Sequence, residues 1–459
     1  MSFLRNIKNY KKKVSLVLND GSNITYEELL NQTNYIKKFI TKRSLVIILT
    51  GNNYETIASY VSLINLKSVV MLIDKNLNNK FLKNILKNYQ PDFIFSPKKT
   101  YLFENFSKCF NLYNYEVFKN KFETKKKLSK ELAVLLTTSG STGNVKFVRQ
   151  SYKNYEYNSK DIIKSLNIKN QNSVITTLPI SYTFGLSVIN THLLSGNKII
   201  LNENSILSRN FWELYNFHKP SYFYGVPYIF KILDKMKFKN FFTPNLKVIA
   251  NAGGEIETND YLNLIKKIKS YKKKFFYMYG QTEATARMSI LNHKFVSTKV
   301  KSIGKPIGTG KFKLLNEQKQ IIKKTNYSGT LYFLGKNVCL GYAKSRNDLS
   351  KKNSNNFVLD TGDIAKFDKS GFYYIVGRKK RIIKIFGHRV DMDDVEKIML
   401  KMGHTVNCLN KDDKIMINYN NKNLDIETCK TKISKQLKIN LNYIKFIYLN
   451  ELKKNNKIL

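Results

Sequence analysis

Cysteine is scarce in this chain of 459 residues, with four in all at positions 109, 339, 408 and 429. None lies in a CxxC pair, and four are too few for a disulfide scaffold of this length. Free thiols in a reducing cytoplasm are the expectation, and the protein is placed there. Histidine is equally sparse, and the five present show no metal-ligand spacing. No apolar run reaches about 18 residues, which excludes a membrane-spanning helix. The start, Met1 to Lys8 followed by Lys11-Lys12-Lys13, has no apolar core of a signal peptide. Acidic residues are few, 33 against 79 Lys and Arg, for a formal charge of +46. The lysines are spread along the whole length in a chain crowded with Asn, Ile, Tyr and Phe. A dispersed charge of this kind reads as a solvated surface set by composition, and nucleic acid is not expected as a partner. A polyanion-binding surface is the competing reading of the same charge.

What is present is enough apolar material, 42% of residues, to bury a sizeable core. The length argues for two domains or more. Short apolar runs at 44–49, 69–73, 93–95, 132–136, 174–178, 198–201, 222–224, 248–250 and 275–278 read as buried strands. Helical stretches near 53–65 and 78–88 alternate with them, which predicts a parallel α/β sheet. Residues 14–35 predict a strand, a turn at Asp20-Gly21, and a helix capped by Thr25 with Glu28 three residues on. From about 305 the pattern changes to short strands and Gly-rich turns. After Gly377 a small α+β unit begins, with a strand at 382–385 and a helix from Asp391. Further strands fall near 406–409, 414–418 and 444–448, and a helix at 425–437.

The strand 132–136 runs into Thr137-Thr138-Ser139-Gly140-Ser141-Thr142-Gly143-Asn144-Val145-Lys146. Glycines let backbone N–H groups close around a ligand, hydroxyls add short donors, and the lysine adds a mobile charge. The set suits a polyphosphate, although it is not the Walker loop. Taken alone, such a stretch is also an ordinary solvated turn. Tyr279-Gly280-Gln281-Thr282-Glu283 follows another apolar strand, at the end where open α/β sheets bind ligands. Tyrosine stacks on a base, threonine bonds a phosphate oxygen, and glutamate holds Mg²⁺. Asn251-Ala252-Gly253-Gly254-Glu255 permits close approach of a flat ligand, and Thr361-Gly362-Asp363 places a carboxylate after a glycine turn.

Together these stretches resemble the adenylate-forming superfamily: acyl-CoA synthetases, non-ribosomal-peptide adenylation domains and firefly-type luciferases. The first loop matches its phosphate loop, with Val145 in place of a proline. The glycine pair resembles its adenine loop. Tyr279 to Glu283 matches its Tyr-Gly-x-Thr-Glu motif, and Thr361-Gly362-Asp363 its ribose motif, with Asp360 where a basic or polar residue is common. Gly377-Arg378, Lys380, Ile383-Lys384 and Gly387-His388-Arg389 follow its hinge pattern. The match weakens at the end. Asn456-Lys457-Ile458 stands where the family has Gly-Lys-Ile, with Asn456 for the glycine and the proline missing.

The resemblance implies an α/β protein with a large N-terminal adenylate-forming domain, residues 1–379, and a mobile C-terminal α+β lid, residues 380–459. It implies ATP-dependent conversion of a small carboxylic acid to an acyl-adenylate, then transfer to coenzyme A or a phosphopantetheine thiol, the latter on an acidic acyl carrier protein. Nucleotide would be held by Thr138, Ser139, Gly140, Ser141, Thr142, Gly143, Lys146, Gly253, Gly254, Glu255, Tyr279, Gly280, Gln281, Asp363 and Arg378. Glu283 would hold Mg²⁺, and Thr282, Glu283 and Lys457 would act in catalysis. Tyr182, Phe184, Gly185 and Tyr224 would shape the acyl pocket. Glycine at 185 stands where amino-acid-activating relatives carry an aspartate, which argues against an α-amino acid. Lys380 would be the hinge, with Gly387 and Arg389 on the thiol side. A nucleotide-binding relative without catalysis is the alternative that the altered last loop leaves open.

Overall fold

The computed structural model describes residues 3–98, 103–123, 127–137, 146–236, 239–378, 382–385, 388–411, 414–421 and 423–449. The chain divides into two compact units. One is built mainly from residues before Val376, and the other mainly from residues after it, with Gly362–Ile364 grouped with the second.

The first unit carries two large mixed sheets. One has nine strands, in the order Lys305–Pro306, Ser289–Leu291, Lys274–Tyr279, Val248–Asn251, Tyr222–Gly225, Ser173–Ile175, Lys198–Ile200, Val14–Val17 and Asn23–Thr25. The other has eight, in the order Tyr342–Ala343, Phe147–Ser151, Leu132–Thr137, Val69–Asp74, Leu45–Thr50, Phe93–Pro97, Tyr115–Asn120 and Phe106–Leu112. Their centres are parallel, as the alternation of strand and helix predicts. Their margins are antiparallel, which the alternation does not predict. The hairpin of Phe106–Leu112 and Tyr115–Asn120 is such a margin. It exposes alternate residues, so it lacks the solid apolar run that marks the central strands. Leu45–Thr50 shows the contrast, being buried at every position.

Local signals set the helices. Thr25 accepts from the Glu28 amide at 3.2 Å, and Glu28 accepts from the Thr25 amide at 2.7 Å, so the capping box forms. Asn53 caps Tyr54–Asn65, a helix buried along nearly its whole length. One residue set is unusual. Arg149 is 1% exposed, and its guanidinium donates to the carbonyls of Asp348 at 3.1 Å, Lys351 at 2.7 Å and Lys352 at 3.2 Å. It ties the strand that follows the phosphate-loop segment to the irregular stretch after Tyr342.

A further sheet has four strands in the order Lys311–Leu315, Gly329–Leu334, Val358–Phe367 and Tyr373–Arg378. The second unit holds a hairpin, Ile382–Ile385 with His388–Asp391, and a three-stranded sheet. In that sheet Asn407–Lys411 pairs antiparallel with Lys414–Tyr419, which pairs parallel with Ile444–Tyr448. Helices Met392–Lys401 and Ile426–Leu437 complete it, and Val395, Met399, Cys408, Ile417 and Ile433 form its core. Among the described residues, no helix is long and apolar enough to cross a membrane.

Candidate active site

The Tyr279–Glu283 segment leaves the end of strand Lys274–Tyr279 and is shaped by its glycine. A Cβ at position 280 would lie 1.4 Å from the Ala286 carbonyl oxygen, so only glycine fits. The chain then makes a single tight turn at Thr282–Ala284 and doubles back, with Thr285 and Ala286 at φ +54° and +92°. The doubling back lets Met288 N–H reach the Tyr279 carbonyl at 2.8 Å. The turn is pinned from outside as well. Gln150 Nε2 donates to the Thr282 carbonyl at 2.6 Å, Gln281 Nε2 donates to the Thr361 carbonyl at 2.8 Å, and the Cys339 amide donates to the Glu283 carbonyl at 2.8 Å.

Pinning aims the Glu283 carboxylate. It is 8% exposed, and Tyr342 Oη donates to its Oε1 at 2.8 Å. The same Tyr342 ring lies 4.3 Å from Lys146 Nζ. The last residue of the predicted phosphate loop and the acid of the predicted metal motif therefore meet on one tyrosine. Sequence reasoning missed Tyr342, whose short strand Tyr342–Ala343 pairs with Phe147–Val148 just after Lys146. No motif marks it.

The glycine pair at 253–254 follows strand Val248–Asn251. Gly253 has φ +85°, and a Cβ there would lie 2.6 Å from Tyr182 Oη. Tyr277 Oη donates to the Gly254 carbonyl at 3.3 Å. Glu255 is ion-paired with Lys301. Asn251 is fully buried, and its Oδ1 has no hydrogen-bond partner among the described residues.

Asp363 lies on strand Val358–Phe367, 1% exposed, and is ion-paired with Arg378 Nε at 2.7 Å. Two predicted nucleotide residues thus meet each other. Gly362 beside it has φ +70° and open space where a Cβ would stand.

In the predicted acyl pocket, Tyr182 and Phe184 pack edge-on at 6.4 Å, and Phe184 and Tyr224 at 6.0 Å. Gly185 lies in helix Thr183–Leu194, where a Cβ would come 2.2 Å from the Pro179 carbonyl oxygen. That backbone has no room for a side chain at 185. Behind the rings stand His192 and Arg287, neither assigned a role from sequence. Arg287 was visible as a lone charge between Ala286 and Met288. Burial, and secondarily the charge of Arg287, push the His192 pKa down to about 3.

Thr138 to Gly143, Lys380, Gly387 and Lys457 lie outside the described residues, as does the side chain of Arg389, whose backbone is in strand His388–Asp391.

The profile of AMP-binding enzymes matches residues 3–343. The chain belongs to the AMP-binding enzyme family. This AMP-binding enzyme is similar to the 2-succinylbenzoate–CoA ligase of Bacillus subtilis (strain 168), with 25% identity over 268 residues, 58% of this chain and 53% of that one. It is also similar to gramicidin S synthase 2 of Brevibacillus brevis, with 22% identity over 423 residues, 87% of this chain and 9% of that one. The match spans about half the length of the first and a small part of the second. Among solved structures, o-succinylbenzoate CoA synthetase of Bacillus subtilis bound with its product analogue superposes with a TM-score of 0.76 at 19% identity, covering 99% of this chain and 96% of that one. At such identity the likeness is one of fold: a large α/β N-terminal part with mixed sheets and flanking helices, and a smaller C-terminal part.

Proposed function

We propose that this AMP-binding enzyme activates a small carboxylic acid with ATP. A carboxylate oxygen attacks the α-phosphorus, the bond to pyrophosphate breaks, and acyl-AMP and pyrophosphate result. The observation that carries the reading is the convergence of Lys146 and Glu283 on Tyr342, a cation and a carboxylate side by side at the ends of two strands. A polyphosphate with its counter-cation needs such a pair.

The roles follow from the family motifs that these residues match. Thr138, Ser139, Gly140, Ser141, Thr142 and Gly143, with Lys146, take the β- and γ-phosphates. Tyr279 and the 253–255 loop take adenine, with Gly280 and Gln281 shaping that wall. Asp363 takes the ribose hydroxyls beside Arg378, and Thr282 and Lys457 act at the α-phosphate. Glu283 is the residue to hold Mg²⁺, because one carboxylate oxygen is oriented by Tyr342 and no described residue donates to the other. Among the described residues, no group of three His, Cys, Asp or Glu side chains offers a metal site. A single carboxylate fits Mg²⁺, which when bound takes its other ligands from phosphates and water and neutralises their charge.

The acyl group then passes to a thiol, coenzyme A or the phosphopantetheine of a carrier protein. The likeness to a ligase that joins 2-succinylbenzoate to CoA supports a thiol acceptor. In this reading residues 380–459 form the lid, Lys380 the hinge, and Gly387 and Arg389 the thiol side. ATP–pyrophosphate exchange with a panel of carboxylic acids tests the proposal. Exchange that requires one of the acids is the expected result. ATP binding without exchange for any acid would favour a nucleotide-binding relative that does no chemistry.

A further inference from the structure

Arg287 is 1% exposed, yet its Nε, Nη1 and Nη2 make no well-formed hydrogen bond to any described residue. A guanidinium cannot shed its proton, and its five N–H groups need acceptors. A buried charge left unpaired is among the most costly arrangements a core can hold. The rings of Tyr224 and Phe184 lie 5.0 and 5.1 Å from the guanidinium carbon and offset part of that cost. Neither ring face is an acceptor for five donors. The Tyr224 hydroxyl favours the cation, by charge and by a weak hydrogen bond that leaves most of the guanidinium's donors without acceptors, and burial still dominates, lowering the Arg287 pKa.

A second observation points the same way. The Asn172 amide donates to Asn197 Oδ1 at 3.1 Å, which orients the Asn197 side chain. Its Nδ2 therefore faces His192 Nδ1, at 3.2 Å, and donates to it. With Nδ1 accepting, the neutral imidazole carries its proton on Nε2, which donates to Tyr224 Oη at 3.1 Å. The Tyr224 hydroxyl is left with its own proton to give, and no described side chain or carbonyl receives it. A buried relay of oriented donors thus ends in an O–H beside a guanidinium, and both call for an acceptor that no described residue supplies.

We propose that the acyl pocket selects acids carrying a second carboxylate, whose remote oxyanion is received by the Arg287 guanidinium and the Tyr224 hydroxyl while the first carboxylate is activated. The planar fork of arginine matches a carboxylate in two parallel hydrogen bonds. Arg287 is buried against the rings of Phe184 and Tyr224, so in this proposal it meets the buried end of the substrate rather than the reacting end. A plain alkyl tail there would leave both donors unsatisfied, which is how a polar pocket rejects an apolar analogue. The proposal rests on the reading of the chain as a carboxylate-activating enzyme.

The test uses the full-length protein and straight-chain α,ω-dicarboxylates, each paired with the monocarboxylate of equal length. In ATP–pyrophosphate exchange, the wild type should favour the dicarboxylate by roughly a hundredfold or more in kcat/KM. Arg287→Met should abolish or invert that preference, and Tyr224→Phe should reduce it by about tenfold. Arg287→Lys, which keeps the charge in the core, should retain an intermediate preference and serves if the methionine variant does not fold. Equal exchange with both acids of every pair, unchanged in the Arg287 variants, would overturn the selectivity and leave carboxylate activation standing. Silence with every acid would overturn the activation reading, and the pocket is then judged by melting alone. Dicarboxylates that raise the melting temperature of the wild type but not of Arg287→Met support the pocket, and no shift in either overturns it.

Discussion

Replacing Tyr342 with phenylalanine separates two things this residue does. The ring stays in place, so its contact with Lys146, 4.3 Å away, survives. The hydroxyl goes, and with it the 2.8 Å hydrogen bond to Glu283 Oε1. A hydrogen bond to a charged group is worth about 1.5–3 kcal/mol when shielded, and an ordinary one about 0.5–1.5 kcal/mol. Glu283 is 8% exposed but Tyr342 is 41% exposed, so solvent competes for the donor side. We therefore take about 1–1.5 kcal/mol, which is a roughly five- to twelvefold loss. The loss should fall on the step that needs an oriented carboxylate. In ATP–pyrophosphate exchange at varied Mg²⁺, Tyr342→Phe should need more metal to reach its plateau, while ATP binding without metal stays as in the wild type. Tyr342→Leu removes the ring as well and should weaken metal-free ATP binding too, by about 0.5–1 kcal/mol, because Lys146 loses its platform. A Tyr342→Phe enzyme indistinguishable from the wild type across the metal titration would refute the reasoning. So would a leucine variant no worse than the phenylalanine one.

Other expected outcomes are as direct. His192 has its pKa lowered from 6.5 to about 3, so the unfolded chain binds the extra proton first as the pH falls. Its contribution to stability is intact above pH 6.5 and drains away toward pH 3, by up to about 1.4 kcal/mol per pH unit; urea midpoints at stepped pH should show this slope shallower in His192→Gln, and parallel slopes would contradict it. Gly280→Ala places a methyl 1.4 Å from the Ala286 carbonyl and should lower the melting temperature sharply, whereas Gly362→Ala meets no neighbour and pays only for its φ of +70°. Asp363→Ala removes a buried acceptor and strands Arg378, so ATP affinity measured by calorimetry should fall about tenfold or more; unchanged affinity would take Asp363 out of the ribose site. Lys457→Ala should slow adenylation roughly 10²–10³-fold and leave thioester formation from supplied acyl-AMP largely intact; adenylation at the wild-type rate would show it to be only tail.

Much of the architecture was legible because its causes are local. The strand Leu45–Thr50 is apolar at its first five positions, which only a strand covered on both faces requires. The Thr25 and Glu28 capping box needs residues three apart and nothing else. The loop before Lys146 and the Tyr279–Glu283 turn were recognisable since glycine, hydroxyl and charge stand at short fixed offsets. The antiparallel margins were not legible, because edge strands such as Phe106–Leu112 are wet on one side and carry a broken pattern.

Sequence alone therefore determined the central strands, the helices near 53–65 and 78–88, the Thr25 cap, and the stretches that match the family's nucleotide motifs. Each of these is decided by neighbours within a few residues, whose backbone preferences and periodicity do not depend on the rest of the chain. Tertiary structure alone decided that Lys146 and Glu283 meet on Tyr342, that Asp363 pairs with Arg378, and that Arg287 is buried against Phe184 and Tyr224 with no well-formed hydrogen bond to any described residue. In sequence Arg287 is one of 79 basic residues, a lone charge between Ala286 and Met288 to which no role was attached. Its meaning comes from being taken out of water without an acceptor. Burial is a property of the packed sheets and helices around it, and no local pattern encodes that.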